Sequence, residues 1–312
     1  MRTHTIGLLA FLLATGFSSF AQDTVKVGTY ITSLYDIDLA ANSYQADFWL
    51  WFIYENDSIA PMETLEVVNA KSVEYSLDLT EKIDTVLWAS KKCRALLKQS
   101  WEVAYFPFDE QVLEIVLEES DADLGSLVYV IDSLNTKLDQ EQQLPDWEIK
   151  DFSVQSGSKI YDTSYGDPRL DGQSTYARVE LSITLRRKSF GLFLTLFTGV
   201  YVSFFISLLV FYIDPIHVDP RFGLSVGSLF AAVGNKYIVD SILPQTVAFG
   251  LADQIHIVTY ISILLCIILS VFSLRWYKHG RVLESRRLDR RAFWLILLVY
   301  LGLNVGMVIL AT

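Results

Sequence analysis

The sequence predicts a two-part chain: a β-sandwich followed by a bundle of four membrane-spanning helices. Three observations predict it. The 312 residues are 52% hydrophobic and 20% charged, too apolar for an ordinary soluble domain. The apolar residues concentrate after Phe190. Before that point, short runs rich in Thr, Val, Tyr, Phe and Trp are separated by turn residues, which is the pattern of strands. The formal net charge of −11 argues against a nucleic-acid partner.

The chain opens with what reads as a secretory signal over 1–21. Arg2 precedes an apolar core from Ile6 to Gly16, and Ser19-Phe20-Ala21 makes a small-residue cleavage site before Gln22. That core is too short to span a bilayer. An exported domain then runs over 22–187 and a membrane domain over 188–312.

In the exported part the expected strands are Val25–Tyr35, Tyr44–Tyr54, Thr85–Ala89, Trp101–Tyr105, Val112–Leu117, Ser126–Ile131, Trp147–Val154 and Thr175–Leu185. Turn chemistry separates them at Asp36-Ile37-Asp38, Ser58–Pro61, Asp121–Gly125, Gly166-Asp167-Pro168 and Asp171-Gly172. Lys91–Gln99 reads either as a short helix or as an edge segment. Several short strands at this spacing suggest a sandwich. The two cysteines, Cys93 and Cys266, fall one in each part, which argues against an intrachain disulfide. His4, His217, His256 and His279 all lie outside Gln22–Arg187, so a histidine metal site or pH switch there is excluded. Proton sensing in that domain would fall to carboxylates. Glu118, Glu119, Asp121 and Asp123 form an acidic stretch suited to a modulatory Ca²⁺ or simply to solvation. No other cofactor is expected.

The four spans are expected over Phe190–Ile213, Asp219–Pro244, about Gln254–Leu274, and Ala292–Ala311. Arg275, Lys278, Arg281, Arg286, Arg287, Arg290 and Arg291 lie between the third and fourth, which places that loop in the cytoplasm. An even number of spans then leaves both chain ends outside, in agreement with the signal.

The second span is the unusual one. Gly223, Gly227 and Gly234 each cost ~1 kcal/mol against Ala in a helix. Asn235 and Lys236 are polar at membrane depth. Asp219, Gly223, Gly227, Phe230, Gly234 and Tyr237 follow steps of three and four and share one face. That face reads as pore-lining, or alternatively as a small-residue helix contact. Phe230 would be the gate, as a ring that dewets. Asp219 would select cations or cap the helix, and Arg221 stands near enough to offset it. Lys236 and Asp240, one turn apart, are placed to pair. Gly223-Leu224-Ser225-Val226-Gly227 matches a serine-hydrolase pattern, but inside a membrane span it lacks the strand that motif needs. With no phosphate loop, dinucleotide fingerprint or zinc-protease pair, the chain does not read as an enzyme.

Tyr105-Phe106-Pro107-Phe108-Asp109-Glu110-Gln111 resembles the signature of pentameric ligand-gated ion channels, the Cys-loop receptor superfamily. The flanking cysteines of animal members would fall at Gln99 and Leu113, so the chain resembles a bacterial member without that disulfide. Val27–Asp38, Pro61–Asn69, Pro145–Ile149, Arg187 and Leu243-Pro244 match further segments in order. Departures include Gly199 in place of a first-span proline, Ser120 in place of a cage aromatic, and Tyr54 at a usual tryptophan.

The resemblance implies a homopentamer in a bacterial inner membrane, each chain partnered by four further copies and by membrane lipid. Monovalent cations would pass, and a small ligand or protons would open the pore. It places Asp38, Pro107, Asp109, Arg187 and Pro244 at the coupling boundary between the two parts, with Arg187 holding both carboxylates. It places Tyr54, Tyr161, Tyr165 and Tyr176 at the ligand site. The rival expectation is a non-conducting membrane-anchored sensor or scaffold on the same fold.

Overall fold

The computed structural model describes residues 22–168, 172–245 and 249–312. The expected leader and Asp171 lie outside the described residues. The exported part holds β1 Asp23–Asp38, β2 Ser43–Tyr54, the short helix α1 Pro61–Thr64, β3 Leu65–Val67 and β4 Ala70–Ile83. It continues with β5 Val86–Lys98, β6 Glu110–Asp123, β7 Leu127–Ile131, β8 Lys137–Leu138, β9 Trp147–Tyr161 and β10 Ser174–Arg187. One sheet has the order β4-β5-β2-β1-β7, with β8 also on β1; the other is β3-β6-β10-β9. Pairing is antiparallel except where β1 meets β7 and β8.

Period-two burial makes the sandwich. Along β2, Tyr44, Ala46, Phe48, Leu50, Phe52 and Tyr54 are buried, while Trp49, Trp51 and Ile53 are only half-buried. β10 answers with Ala177, Val179, Leu181, Ile183 and Leu185. Burying each large apolar side chain contributes about 1.5–3 kcal/mol. One close approach demands glycine: a Cβ on Gly28 would lie 2.2 Å from the Trp51 ring.

Three strand expectations need correction. Trp101–Tyr105 is not a strand. Trp101 and Val103 are buried in alternation, but the Gln111 side-chain amide takes both backbone groups of Glu102, at 3.1 and 2.8 Å, where a ladder partner would sit. Lys91–Lys98 belongs to β5. β4 was not expected, because almost all of it is exposed and carries no burial alternation to read.

The membrane part consists of α2 Ser189–Leu208, extended by a 3-10 turn Leu209–Tyr212, then α3 Val218–Ile242, α4 Leu251–Lys278 and α5 Val282–Ala311. All four are long and apolar enough to cross a bilayer, and the chain is a multi-pass membrane protein. α5 starts ten residues before the expected span, since Arg, Leu and Glu are good helix formers. The basic residues expected in a loop therefore sit mostly on helix ends, Arg275 and Lys278 on α4 and Arg286, Arg287, Arg290 and Arg291 on α5. Between the helices, Tyr300 stacks on Phe204 and bonds Thr259 at 2.8 Å.

Candidate functional site

Two places carry the expected functional residues: the outer face of α3 and the junction between sheets and helices. On α3, Arg221, Ser225, Ser228, Ala232 and Val239 are buried against the chain's own bundle. Asp219, Gly223, Gly227, Phe230, Gly234 and Tyr237 are all exposed on the other side, Phe230 at 73% and Tyr237 at 78%. A Cβ added to Gly223, Gly227 or Gly234 would meet nothing within 4 Å, so these glycines serve no helix contact within the chain.

Arg221 points away from Asp219. It is 1% exposed, donates from Nε to the Ile213 carbonyl at 3.0 Å, and pairs with Asp289 of α5 at 2.5 Å. Its charge is compensated inside the bundle, and Asp219 stands alone on the exposed face. Lys236 is held by Asp240 and, at 3.0 Å, by Asp253 of α4.

At the junction, parity explains the central pair. Arg187 continues the inward row of β10 after Leu185, and Asp109 continues the inward row of β6 before Gln111. Arg186 stands opposite Glu110 in the ladder, which sets Arg187 against Asp109. The guanidinium donates to both carboxylate oxygens, Nε at 2.7 Å and Nη2 at 3.0 Å. It stacks over Trp147 at 3.9 Å, and Gln111 donates to Asp109 at 2.7 Å.

Asp38 is not part of this cluster, contrary to expectation. It is exposed and accepts from the Ala41 backbone N–H at 2.9 Å, the local turn bond that aspartate favours. Pro107 follows Phe106 through a cis peptide in the same loop. Pro244 is buried and lines a cleft of ≈ 510 Å³ with Asn42, Gln99 and Trp101, so the α3–α4 connection meets the sheet ends there.

The Phe-Pro-Phe-Asp loop also touches the helices directly. Leu251, the first residue of α4, donates to the Ala104 carbonyl at 2.8 Å. A Cβ on Gly250 would lie 3.0 Å from the Val103 carbonyl oxygen. Phe108 meets Phe193 of α2 at 5.4 Å, Phe193 meets Phe197 at 5.0 Å, and Phe197 meets His256 of α4 at 5.8 Å. His256 Nε2 lies 3.1 Å from Asn235 Oδ1, and Asn235 Nδ2 donates to the Leu196 carbonyl at 2.9 Å. An unbroken chain of contacts thus runs from the sheet loop to α3. Sequence reasoning missed Phe193, His256 and Asn235 as its members, since nothing local pairs them.

At the hairpin of β9 and β10, Tyr161 lies 5.9 Å from Tyr165 and 6.1 Å from Tyr176. Its hydroxyl donates to Glu118 at 2.7 Å and accepts from Arg178 at 3.0 Å. Burial and the hydrogen bond to Glu118 push the Tyr161 phenol up to about 12. Arg178 pairs with Glu118, so the carboxylate under the rings is already compensated. Glu119 accepts from Thr64, Tyr129 and two backbone N–H groups. Among the described residues no cluster of acidic, His or Cys side chains is arranged to hold a metal ion. Tyr54 does not join the tyrosines: it has the inward parity of β2 and is buried. Cys93 and Cys266 are both free and buried.

No family model matches the chain. Two proteins of Caenorhabditis elegans resemble it. The acetylcholine receptor subunit beta-type lev-1 is 29% identical over 164 residues, 52% of this chain and 29% of that protein. The acetylcholine receptor subunit beta-type unc-29 is 26% identical over 180 residues, 57% of this chain and 33% of that protein. The matched region spans about a third of these relatives' length. Both are receptor subunits, not enzymes. With a sandwich followed by four apolar helices, the chain is homologous over about half of its length to these acetylcholine receptor subunits.

Proposed function

We propose that five copies of the chain surround an axis, with α3 of each lining a cation-conducting pore opened by a signal sensed in the sandwich. The observation that carries this is the uncovered face of α3, which runs from Asp219 through Phe230 to Tyr237 while the opposite side is buried. A membrane helix carrying a polar, glycine-lined face needs protein or water against it. Five Phe230 rings make a constriction that gates by dewetting, and five Asp219 carboxylates favour cations at the cytoplasmic mouth. Arg221, turned inward onto Asp289, leaves that acidic ring uncompensated.

A small ligand, or protons taken up by carboxylates, acts on the sandwich. Tyr161, Tyr165 and Tyr176 offer ring faces at the hairpin, and the names of the relatives favour a small-molecule agonist. β10 carries the signal to Arg187, and α2 begins two residues later at Ser189. From the same loop, Phe108, Phe193, Phe197, His256 and Asn235 lead to the pore helix. Native mass of the detergent-solubilised protein tests assembly, and five copies are expected. Bilayer recording under pH steps and a screen of small amines and acids tests conduction. Folded pentamers that stay silent under every stimulus would leave the membrane-anchored sensor as the better reading.

A further inference from the structure

Three strand ends converge where the sandwich meets Pro244. β2 starts at Ser43, β4 starts at Ala70 and β5 ends at Lys98. Ser43 stands opposite Lys98 in the ladder, and Ala70 stands opposite Leu97. This register brings Asn42, Lys71 and Lys98 to one edge of the sheet. Hydrogen bonds fix the edge: the Gln99 backbone N–H donates to the Asn42 carbonyl at 3.1 Å, and the Gln99 side-chain amide donates to the Val112 carbonyl at 2.8 Å. Together with Trp101 and Pro244 these residues line the open cleft of ≈ 510 Å³.

The chemistry of the cleft is one-sided. Lys71 and Lys98 are both exposed in it, and none of its lining residues is acidic. Lys71 gives one of its three donors to the Ala41 carbonyl, at 2.8 Å. Neither lysine has a carboxylate partner among the described residues. The Trp101 side chain forms part of the wall, and its indole N–H is buried with no partner among the described residues. An indole N–H can only donate, and a buried donor left unmade is costly. In a chain of formal net charge −11, two ammonium groups and an orphan donor gathered without a carboxylate call for an anion from outside.

We propose that this cleft binds the phosphate group of a small soluble metabolite. Lys71 and Lys98 supply charge to match a phosphate dianion, and Asn42 and Trp101 supply neutral donors. A phosphate offers three acceptor oxygens, which suits donors arriving from four separate residues better than the two oxygens of a carboxylate. The volume admits a small ligand. A lipid headgroup fits less well, because the only apolar groups in the wall, Trp101 and Pro244, are themselves buried in the protein and leave nothing for an acyl chain. Since Pro244 belongs to the α3–α4 connection, the bound phosphate would tie that connection to the sheet ends. The site rests on the sandwich and its edge, and stands whether or not the protein conducts.

The test is equilibrium binding of radiolabelled inorganic phosphate to the full-length protein in phosphatidylcholine nanodiscs, at constant ionic strength. The wild type is expected to bind one phosphate per chain, saturably, and acetate should compete poorly. Lys71→Gln with Lys98→Gln should weaken binding about tenfold or more. Trp101→Phe keeps the ring and removes the N–H, and should weaken it roughly fivefold. The control pair Lys82→Gln with Lys159→Gln removes the same charge from exposed positions outside the cleft and should bind as wild type does. Equal loss in both lysine pairs, or unchanged affinity in folded Trp101→Phe, would mean diffuse attraction to surface charge and would overturn the site. Acetate competing as well as phosphate would overturn the ligand class. The nanodisc surrounds the protein with lipid phosphate, so a wild type that binds no free phosphate there would overturn the soluble ligand without any variant having to fold.

Discussion

Arg187 and Asp109 face each other across the β6–β10 ladder and share two hydrogen bonds, at 2.7 and 3.0 Å, with both side chains buried. Arg187 is the last residue of β10 and Asp109 immediately precedes β6, at the edge where the sheets give way to α2. Truncating one partner of a buried pair leaves the other charge exposed to an apolar surround, at a cost of about 3–5 kcal/mol. Arg187→Ala or Asp109→Ala should therefore lower the thermal midpoint by several degrees and blunt the stimulus response, while pentamers still assemble. Asp38→Asn should add independently to either change, because Asp38 serves its own turn. A double-mutant cycle between Asp38 and Arg187 that shows coupling above about 0.5 kcal/mol would contradict this placement.

Gly199 of α2 exists for Asn235 of α3. A Cβ at Gly199 would sit 2.9 Å from Asn235 Nδ2, the atom that donates to the Leu196 carbonyl. Gly199→Ala should cost about 1–3 kcal/mol by overpacking. Asn235→Ala opens the space, so the double variant should lose less than the sum of the singles. Additive losses in thermal unfolding would show that the two positions do not share this contact.

Asp132 predicts an acid limb to stability. Burial alone would raise its carboxyl, but hydrogen bonds from Asn135, Lys26 and Trp51 outweigh burial and hold it below the usual carboxylate value. A group depressed in the folded state stabilises above its unfolded value, about 3.9, and that contribution is lost as pH falls through the folded value. Asp132→Asn should be less stable than wild type at pH 7, and the gap should close below about pH 4. Chemical unfolding at a series of pH values reads this directly; a constant gap down to pH 3 would mean that ionised Asp132 contributes nothing.

Asp219 and Arg221 lie two residues apart but face opposite ways. Asp219→Asn should shift the reversal potential in a salt gradient toward lower cation preference. Arg221→Gln should act on stability first, at about 3–5 kcal/mol, because it strands Asp289 in the bundle. If Asp219→Asn leaves the reversal potential unchanged, the residue is only an acidic first-turn residue at the start of α3, whose N-cap is His217.

Much of this was readable in the chain, for identifiable reasons. β2 and β10 alternate cleanly, since one face of each is buried. The four helices are long apolar runs, and the face of α3 follows from spacing alone. β4 was invisible because an exposed strand has no hydrophobic period. Trp101–Tyr105 imitated a strand because a side-chain amide stands in for the ladder. Arg178 and Glu118 are 60 residues apart, and each alone reads as a solvated charge. The Asn235–His256 contact joins two helices that are both mostly apolar, and only packing brings the polar atoms together. Tyr54 lies apart from the other three tyrosines because the parity of β2 turns it into the sandwich.

The measurement closest to the central claim is bilayer recording of wild type beside Phe230→Ala. Phe230 is the bulkiest apolar residue in the middle of the exposed face of α3, and no agonist has to be known once the ring is removed. A wild type that is closed at rest and a Phe230→Ala variant that conducts spontaneously, with single-channel steps, are predicted. Folded, pentameric Phe230→Ala that passes no current would contradict a pore lined by α3.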